Sequence, residues 1–188
     1  MKLYDQIRDF KPWNEQEQQD REVLLGWLDC GVDIATRNNP AGHLTASAWV
    51  VSPDRRYVLM AYHNLYDSWA WLGGHADGEL DLQAAAAREA REESGIHTVK
   101  PLMNGPISLE ILTVDGHEKK GNYISSHLHL NLTYLFEAEM DQALTAKPDE
   151  NSGVAWIPVE EIAQRSTEPW FVRRIYSKLC AKVQEINI

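Results

Sequence analysis

Cysteine is almost missing from this chain of 188 residues, which has only two. Cys30 and Cys180 stand far apart and form neither a redox spacing nor a paired metal motif. A reducing, cytoplasmic setting is the simplest expectation. Basic residues are also in short supply. Lys and Arg total 18 against 28 Asp and Glu, giving a formal net charge of −10. A dedicated binder of nucleic acid or of anionic membranes needs a basic face, so neither is expected as a partner. The opening "MKLYDQIRDFKPWNEQEQQD" is too polar for a signal peptide or a membrane span. No repeat, low-complexity tract or linker divides the chain, so one domain over 1–188 is expected.

What is present alternates between strand-like and helix-like stretches. Residues 14–30 read as an N-terminal helical extension, with Asn14 as N-cap and Gly31 as stop. "HLTASAWVV" and "YVLMAYH" read as strands joined by the turn "SPDRR". "HNLYDSWAWLGGHADGE" reads as loop, and residues 81–94 as helix. "ISLEILTV" and "SHLHLNLTYLFEAE" alternate like strands around a polar loop, "DGHEKKGNY". "KPDENSG" is loop before the short strand "VAWIP". "VEEIAQRS" and a C-terminal helix over 169–187 complete the chain. This order indicates a mixed α/β or α+β sandwich. The last helix can pack on that sheet or on a second copy, which leaves a homodimer open.

The densest charge lies in "GGHADGELDLQAAAAREAREESGI", residues 73–96. Asp81 suits an N-cap and Gly95 a helix stop. On a helix, Glu89, Glu92 and Glu93 share one face, where three carboxylates repel each other. Arg91 points away at about 100° per residue, so Arg88 relieves only part of the strain. An oxygen-rich site for Mg²⁺ or Mn²⁺ accounts for the crowding, because hard cations take carboxylate ligands. A solvated acidic face is the competing account. Ala86, Ala87 and Ala90 form a small-residue face that lets the helix approach a sheet.

The offsets resemble the Nudix box, G-x5-E-x7-R-E-U-x-E-E-x-G-U, anchored on Gly74 and running through Arg88, Glu89, Glu92, Glu93, Gly95 and Ile96. Two positions depart from it. Leu80 takes the place of the first glutamate, with Glu79 one residue early, and Leu72 takes the place of the proline before the paired glycines. The resemblance implies the Nudix fold, an α/β/α sandwich, over roughly residues 43–165. It implies hydrolysis of a small-molecule diphosphate, such as a nucleoside diphosphate linked to another group. It also implies that Glu89, Glu92, Glu93 and the Gly73 carbonyl hold Mg²⁺ or Mn²⁺, and that Arg88 orients the carboxylates. Glu150 is the candidate further acid, acting as base or ligand; a solvated loop glutamate is the alternative.

The histidines form a second pattern. His127 and His129 alternate on one strand and so face one side. His43 and His75 resemble the metal-binding histidines of isopentenyl diphosphate isomerase, a relative within the Nudix fold, and His127 and His129 could take the place of its two acids from a later strand. That similarity implies a second site, for Zn²⁺ or Mn²⁺; separate structural or surface roles are the plainer reading. Isomerase activity is disfavoured, since the nucleophilic cysteine would fall at Gly73. A nucleotide sensor on the same fold is the other alternative, but it would be expected to lose a box carboxylate. Trp69 and Trp71 can stack on a ring or belong to the core. Arg55, Arg56, Lys119 and Lys120 can meet phosphates or simply occupy solvated turns.

Overall fold

The structure, a computed structural model, describes residues 2–119 and 121–186. Helices α1 (Leu3–Asp9) and α2 (Glu15–Asp29) lead into β1 (Gly42–Val51), β2 (Tyr57–His63), β3 (Ser68–Ala70) and β4 (Leu72–His75). After α3 (Leu82–Ser94) come β5 (Lys100–Pro101), β6 (Ser108–Val114), β7 (His117–Lys119), β8 (Asn122–Ile124), β9 (His127–Glu137) and β10 (Asn151–Pro158). A 3₁₀ turn, α4 (Ile162–Arg165), α5 (Pro169–Phe171), a π-helical turn (Val172–Tyr176) and α6 (Ser177–Glu185) complete the order.

Eight strands form one mixed sheet along the path β10-β2-β1-β9-β5. Strand β3 pairs with β2, β4 with β1, and β6 with β9. The β1–β9 pair is parallel over its full length, from Gly42↔Leu128 to Val51↔Glu137. Period-two alternation then gives each face its own lining. Leu44, Ala46, Ala48, Leu130, Leu132 and Tyr134 pack in one core with Leu82, Ala85, Ala86 and Ala90 of α3. Trp49, Val51 and Leu135 pack in another with Ile175, Tyr176, Leu179 and Val183. The α/β class with helices on both faces of a mixed sheet is the architecture expected from the sequence. The close face of α3 uses Ala85 rather than Ala87, which is only partly buried.

Local signals explain the start of α2 and both ends of α3. The Asn14 side chain accepts from the Glu17 N–H at 3.0 Å, and Asp81 accepts from the Ala84 N–H at 3.0 Å. Gly95 closes α3 at φ 78°, a left-handed conformation that favours glycine.

The differences from the sequence reading have physical reasons. The stretch read as a loop before α3 contains β3 and β4. Paired glycines argue against a strand, yet here they admit close backbone neighbours. The polar loop 115–123 holds most of the β7–β8 hairpin, whose described side chains are exposed apart from the half-buried His117 and so show no alternation. Strand β10 begins at Asn151, before the expected "VAWIP". Helix α1 is too short to stand out, although Ile7 is fully buried. The C-terminal helix is interrupted, and the Ser177 hydroxyl donates to the Val172 carbonyl at 2.8 Å inside the π turn. Asn187, at its expected end, and Lys120 lie outside the described residues, as does the Lys119 side chain. Arg55 donates to the carbonyl of Ile186 at 2.7 Å, so it tethers the C-terminal helix. Among the described residues no helix is long and apolar enough to cross a membrane.

A buried ionic cluster joins both ends of the chain. Lys178 contacts Glu17 and Glu110 at 3.0 Å each, and Lys182 contacts Glu17 at 2.6 Å. Ser108 adds a hydroxyl donor to Glu17 at 2.7 Å. Burial alone would raise the Glu17 carboxyl, but the two ammonium groups hold it below its usual value. Glu17→Gln leaves a buried positive charge uncompensated and should cost about 3–5 kcal/mol of stability by urea denaturation. The sign of the pH dependence follows from the depressed folded pKa. The Glu17 contribution is present above the ordinary glutamate range and is lost as pH falls below it. An unchanged urea midpoint in the variant would count against this role.

Candidate active site

Strand β4 lies against the N-terminal part of β1, pairing Thr45↔His75, Ala46↔Gly74 and Ser47↔Gly73. Helix α3 crosses next to it, and the fit leaves no room for side chains on the paired glycines. A Cβ on Gly74 would meet the Glu89 carboxyl carbon at 2.6 Å, and one on Gly73 would meet the Ala46 carbonyl oxygen at 2.7 Å. The glycines thus bring the strand backbone onto the helix carboxylates. The Gly73 N–H donates to Glu93 Oε2 at 2.8 Å.

The carboxylates differ in environment. Glu93 is 5% exposed and Glu89 9% exposed, whereas Glu92 is open to solvent. Burial, the neighbouring Glu89 and Glu150 push the Glu93 carboxyl up to about 8, against the pull of the Gly73 hydrogen bond. Burial also raises Glu89, although Arg88 opposes the shift with a 2.6 Å contact. Arg88 reaches Glu92 at 3.5 Å. The competing picture of α3 as a wholly solvated acidic face is therefore wrong for two of its three glutamates.

Glu150 reaches the same cleft from the loop before β10. Its carboxylate contacts Lys147 at 2.9 Å, and Lys147 also approaches Glu92 at 3.9 Å. Asn151 donates to the Glu93 backbone carbonyl at 3.0 Å and accepts from the Lys147 N–H at 3.1 Å. Neither Lys147 nor Asn151 stood out in the sequence. Their one signal is adjacency to Glu150 in "KPDEN". Glu79, the displaced box glutamate, accepts from the Asp81 N–H at 2.8 Å and steadies the turn that starts α3. Leu80, at the nominal position, is exposed.

The cleft has a volume of about 680 Å³. Its acidic wall is α3 and the Glu150 loop, and Tyr66, Trp71, Phe171 and Tyr176 line it elsewhere. Trp71 packs edge-on against Phe171 and Tyr176, whereas Trp69 packs against Tyr62 and is not part of the lining. The floor carries Thr45 and Ser47 of β1, both of which donate to Asn131 Oδ1 at 2.9 Å.

The four histidines singled out in the sequence come together at one end of this cleft. The parallel register places His43 beside His129, and β4 brings in His75. The His43 ring lies 5.1 Å from His75, 5.0 Å from His127 and 5.3 Å from His129, centroid to centroid. His43, His75 and His129 each bring a ring nitrogen within 4.8 Å of the others, so the three could hold one metal ion. His127 is outside that group of three but sets its Nε2 3.2 Å from His129 Nε2. A fifth, His117 of the β7–β8 hairpin, lines the cleft with its ring 6.4 Å from that of His127. It was missed because it sits in a stretch read as polar loop.

Comparison with known proteins agrees with this geometry. The family model described as the NUDIX domain matches residues 41–179. Among solved structures, a NUDIX-family hydrolase from Clostridium perfringens aligns with TM-score 0.53 and 20% identity, covering 73% of this chain and 95% of its own. The Nudix hydrolase RenU from M. smegmatis gives TM-score 0.56 and 15% identity, over 78% and 88% of the two chains. The dihydroneopterin triphosphate pyrophosphohydrolase of E. coli gives 0.54 and 15%, over 73% and 94%. At these identities the likeness shows the fold. No match is found among curated proteins. The domain model spans both the acidic helix and the strands that face it, over most of the chain, and the chain belongs to the Nudix family.

Proposed function

We propose that the chain is a metal-dependent pyrophosphohydrolase, cleaving the phosphoanhydride of a nucleoside diphosphate linked to a further group, or of a similar small molecule. The observation that carries this reading is the buried Glu89–Glu93 pair against a strand with no side chains. Two neighbouring carboxylates at 9% and 5% exposure, with one pushed up to about 8, fit a hard cation. Glu89, Glu92, Glu93 and the Gly73 carbonyl would hold Mg²⁺ or Mn²⁺. When bound, the ion supplies Lewis-acid neutralisation of the diphosphate charge.

The chain's own groups have definite tasks in this reading. Arg88 holds Glu89 by a charge-assisted hydrogen bond and so fixes the direction of its lone pairs. The Gly73 N–H occupies Glu93 Oε2, which leaves Oε1 to face the reaction or to carry a proton. Lys147 holds Glu150 near Glu93, where Glu150 can serve as base or ligand. Tyr66, Trp71 and Phe171 offer apolar surface for the ring of a nucleoside, and Trp71 supersedes Trp69 in that role. The 1–188 chain would act as one Nudix domain with helical extensions at either end.

A panel of nucleotide sugars, nucleoside triphosphates and dinucleoside polyphosphates, with phosphate release measured in Mg²⁺ and in Mn²⁺, tests the reaction. Turnover that persists in excess chelator would overturn it. Glu93→Gln keeps the Gly73 hydrogen bond but removes the charge. Turnover should fall by about 10²-fold or more, the scale of general acid–base groups. Stability moves the other way. A carboxyl with a raised folded pKa stabilises below its ordinary value, and that contribution is lost as pH rises through about 8. Glu93→Gln in metal-stripped protein at pH 9 should therefore melt no lower than wild type. Gly74→Ala drives a methyl into Glu89, so kcat should drop by about tenfold or more through mispositioning. Wild-type kcat in Gly74→Ala would show that the contact is not needed for turnover.

A further inference from the structure

We propose that His43, His75 and His129 form a second metal site, separate from the α3 carboxylates, that takes a borderline divalent ion, with Zn²⁺ preferred to Mn²⁺ and both to Mg²⁺. Three observations independent of the hydrolase reading converge on it. The ring nitrogens of these histidines lie within 4.8 Å of one another, among the described residues. Protein-bound Zn²⁺ sits about 2.0–2.1 Å from each imidazole, which sets tetrahedral nitrogens about 3.4 Å apart. Small rotations of three side chains would close the remaining gap.

The second observation is an orphaned nitrogen. His43 is 5% exposed, and its Nε2 has no hydrogen-bond partner. A buried polar atom without a partner is costly, and most are satisfied by protein, water or an ion. Its other nitrogen, Nδ1, lies 3.4 Å from the Asn39 carbonyl. A carbonyl only accepts, so Nδ1 carries the proton and Nε2 keeps a bare lone pair. That lone pair is the form a metal requires.

The third observation is a fixed tautomer at His129, set by His127. The His127 Nδ1 lies 2.8 Å from the Ser125 carbonyl and must donate to it. In the neutral ring its Nε2 is then an acceptor, 3.2 Å from His129 Nε2. His129 therefore donates through Nε2 and leaves Nδ1 bare. Ligating histidines commonly donate their second N–H to a neighbouring acceptor, which sets the ring's orientation. Asn39 plays that part for His43 and His127 plays it for His129, so His127 is a positioning residue rather than a ligand.

The donor chemistry separates the two sites. Imidazole is a borderline ligand and suits zinc, whereas carboxylates suit Mg²⁺ and Mn²⁺. His75 and His129 line the cleft while His43 is buried behind them. A fourth coordination position therefore faces the cleft, open to water or to an oxygen of a bound anion. Three protein ligands with an exchangeable fourth is the form of a working zinc site rather than a closed structural one.

The test uses the full chain, stripped of metal and titrated with Zn²⁺ against a chromophoric chelator, with Co²⁺ as a spectroscopic probe. The expected result is one tight Zn²⁺ per chain and Co²⁺ ligand-field bands that shift when inorganic pyrophosphate is added. His75→Ala and His129→Gln should each weaken Zn²⁺ binding at least about a hundredfold, and His127→Ala about 10–100-fold. Glu93→Gln should lose hydrolysis and keep the zinc, so failure of the catalytic reading is distinguishable from failure of this one. Zn²⁺ affinity should also fall as pH drops, because a protonated imidazole cannot coordinate. Circular dichroism of each metal-free variant checks that the fold is retained, and His75, which is only half-buried, is the variant least exposed to a folding defect. Wild-type Zn²⁺ affinity in His75→Ala, or a tight site lost in Glu93→Gln, would overturn the proposal. A Co²⁺ spectrum indifferent to pyrophosphate would overturn the open fourth position.

Discussion

The contact between two glycines and two buried glutamates governs the rest of this site. Glu89 and Glu93 stand one helical turn apart, and burial raises the carboxyls of both. Water cannot solvate them there, and Arg88 reaches only one of the two buried groups. Such a pair exists because α3 is held tightly to the sheet from below, through Leu82, Ala85, Ala86 and Ala90. Larger side chains on that face would lift the helix and return the carboxylates to solvent. Any side chain at Gly73 or Gly74 would strike β1 or Glu89. The alanines, the glycines and the acids are thus one constraint expressed at three depths. Strain of this kind concentrates at functional sites, where the surrounding fold over-determines it.

Strand β1 couples that constraint to the histidines. It runs parallel to β9 and antiparallel to β4, so Thr45 stands opposite both Asn131 and His75. Its polar row, His43, Thr45 and Ser47, becomes the floor between an acidic end and an imidazole end. Asn131 orders the middle of this floor. Its amide donates to Glu110 Oε2 at 3.1 Å, which turns its carbonyl towards Thr45 and Ser47. Glu110 in turn belongs to the ionic cluster with Lys178. A polar path therefore runs from the cleft floor to Lys178 of α6 and, through it, to Glu17 of α2. In a low-dielectric interior, each satisfied bond along such a path sharpens the orientation of the next.

The acidic helix was legible in the sequence because capping, small-residue packing and carboxylate spacing all act within one element. Asp81, Gly95 and the glutamate spacing are local facts. The histidine cluster was legible from the alternation of His127 and His129 and from the isomerase resemblance, not from any local spacing that joins all four. Its convergence depends on the register that sets His43 beside His129, a non-local pairing that no short window contains. Strand β4 was hidden for a different reason. Glycine is depleted in strands, and the close contact that requires it here comes from tertiary packing. The ionic cluster was not visible at all. Glu17, Lys178 and Lys182 look like ordinary solvent-facing charges on helices until the ends of the chain meet. Arg55 was left between a phosphate contact and a solvated turn because its partners, the carbonyls of the C-terminal helix, lie far along the sequence.

Electrostatics links the two ends of the cleft to the proposed reaction. The chain carries a net charge of −10, and four glutamates, Glu89, Glu92, Glu93 and Glu150, line the acidic wall. The cations that face the cleft are largely engaged. Arg37 pairs with Asp77 at 2.7 Å, Arg88 with Glu89 at 2.6 Å and Lys147 with Glu150 at 2.9 Å. A diphosphate approaching this wall meets like charge, and among the described residues the cations lining the cleft are paired with carboxylates. In the proposed reaction its binding would depend on ions brought to the site, and the same ions would relieve the repulsion between Glu89 and Glu93. In this reading metal and substrate bind cooperatively, each lowering the electrostatic cost of the other. The apolar side chains across the cleft carry no charge to oppose an anion. They can offer apolar contact to the remainder of the molecule, beside Glu168, which lines that side of the cleft near Tyr66 and Tyr176.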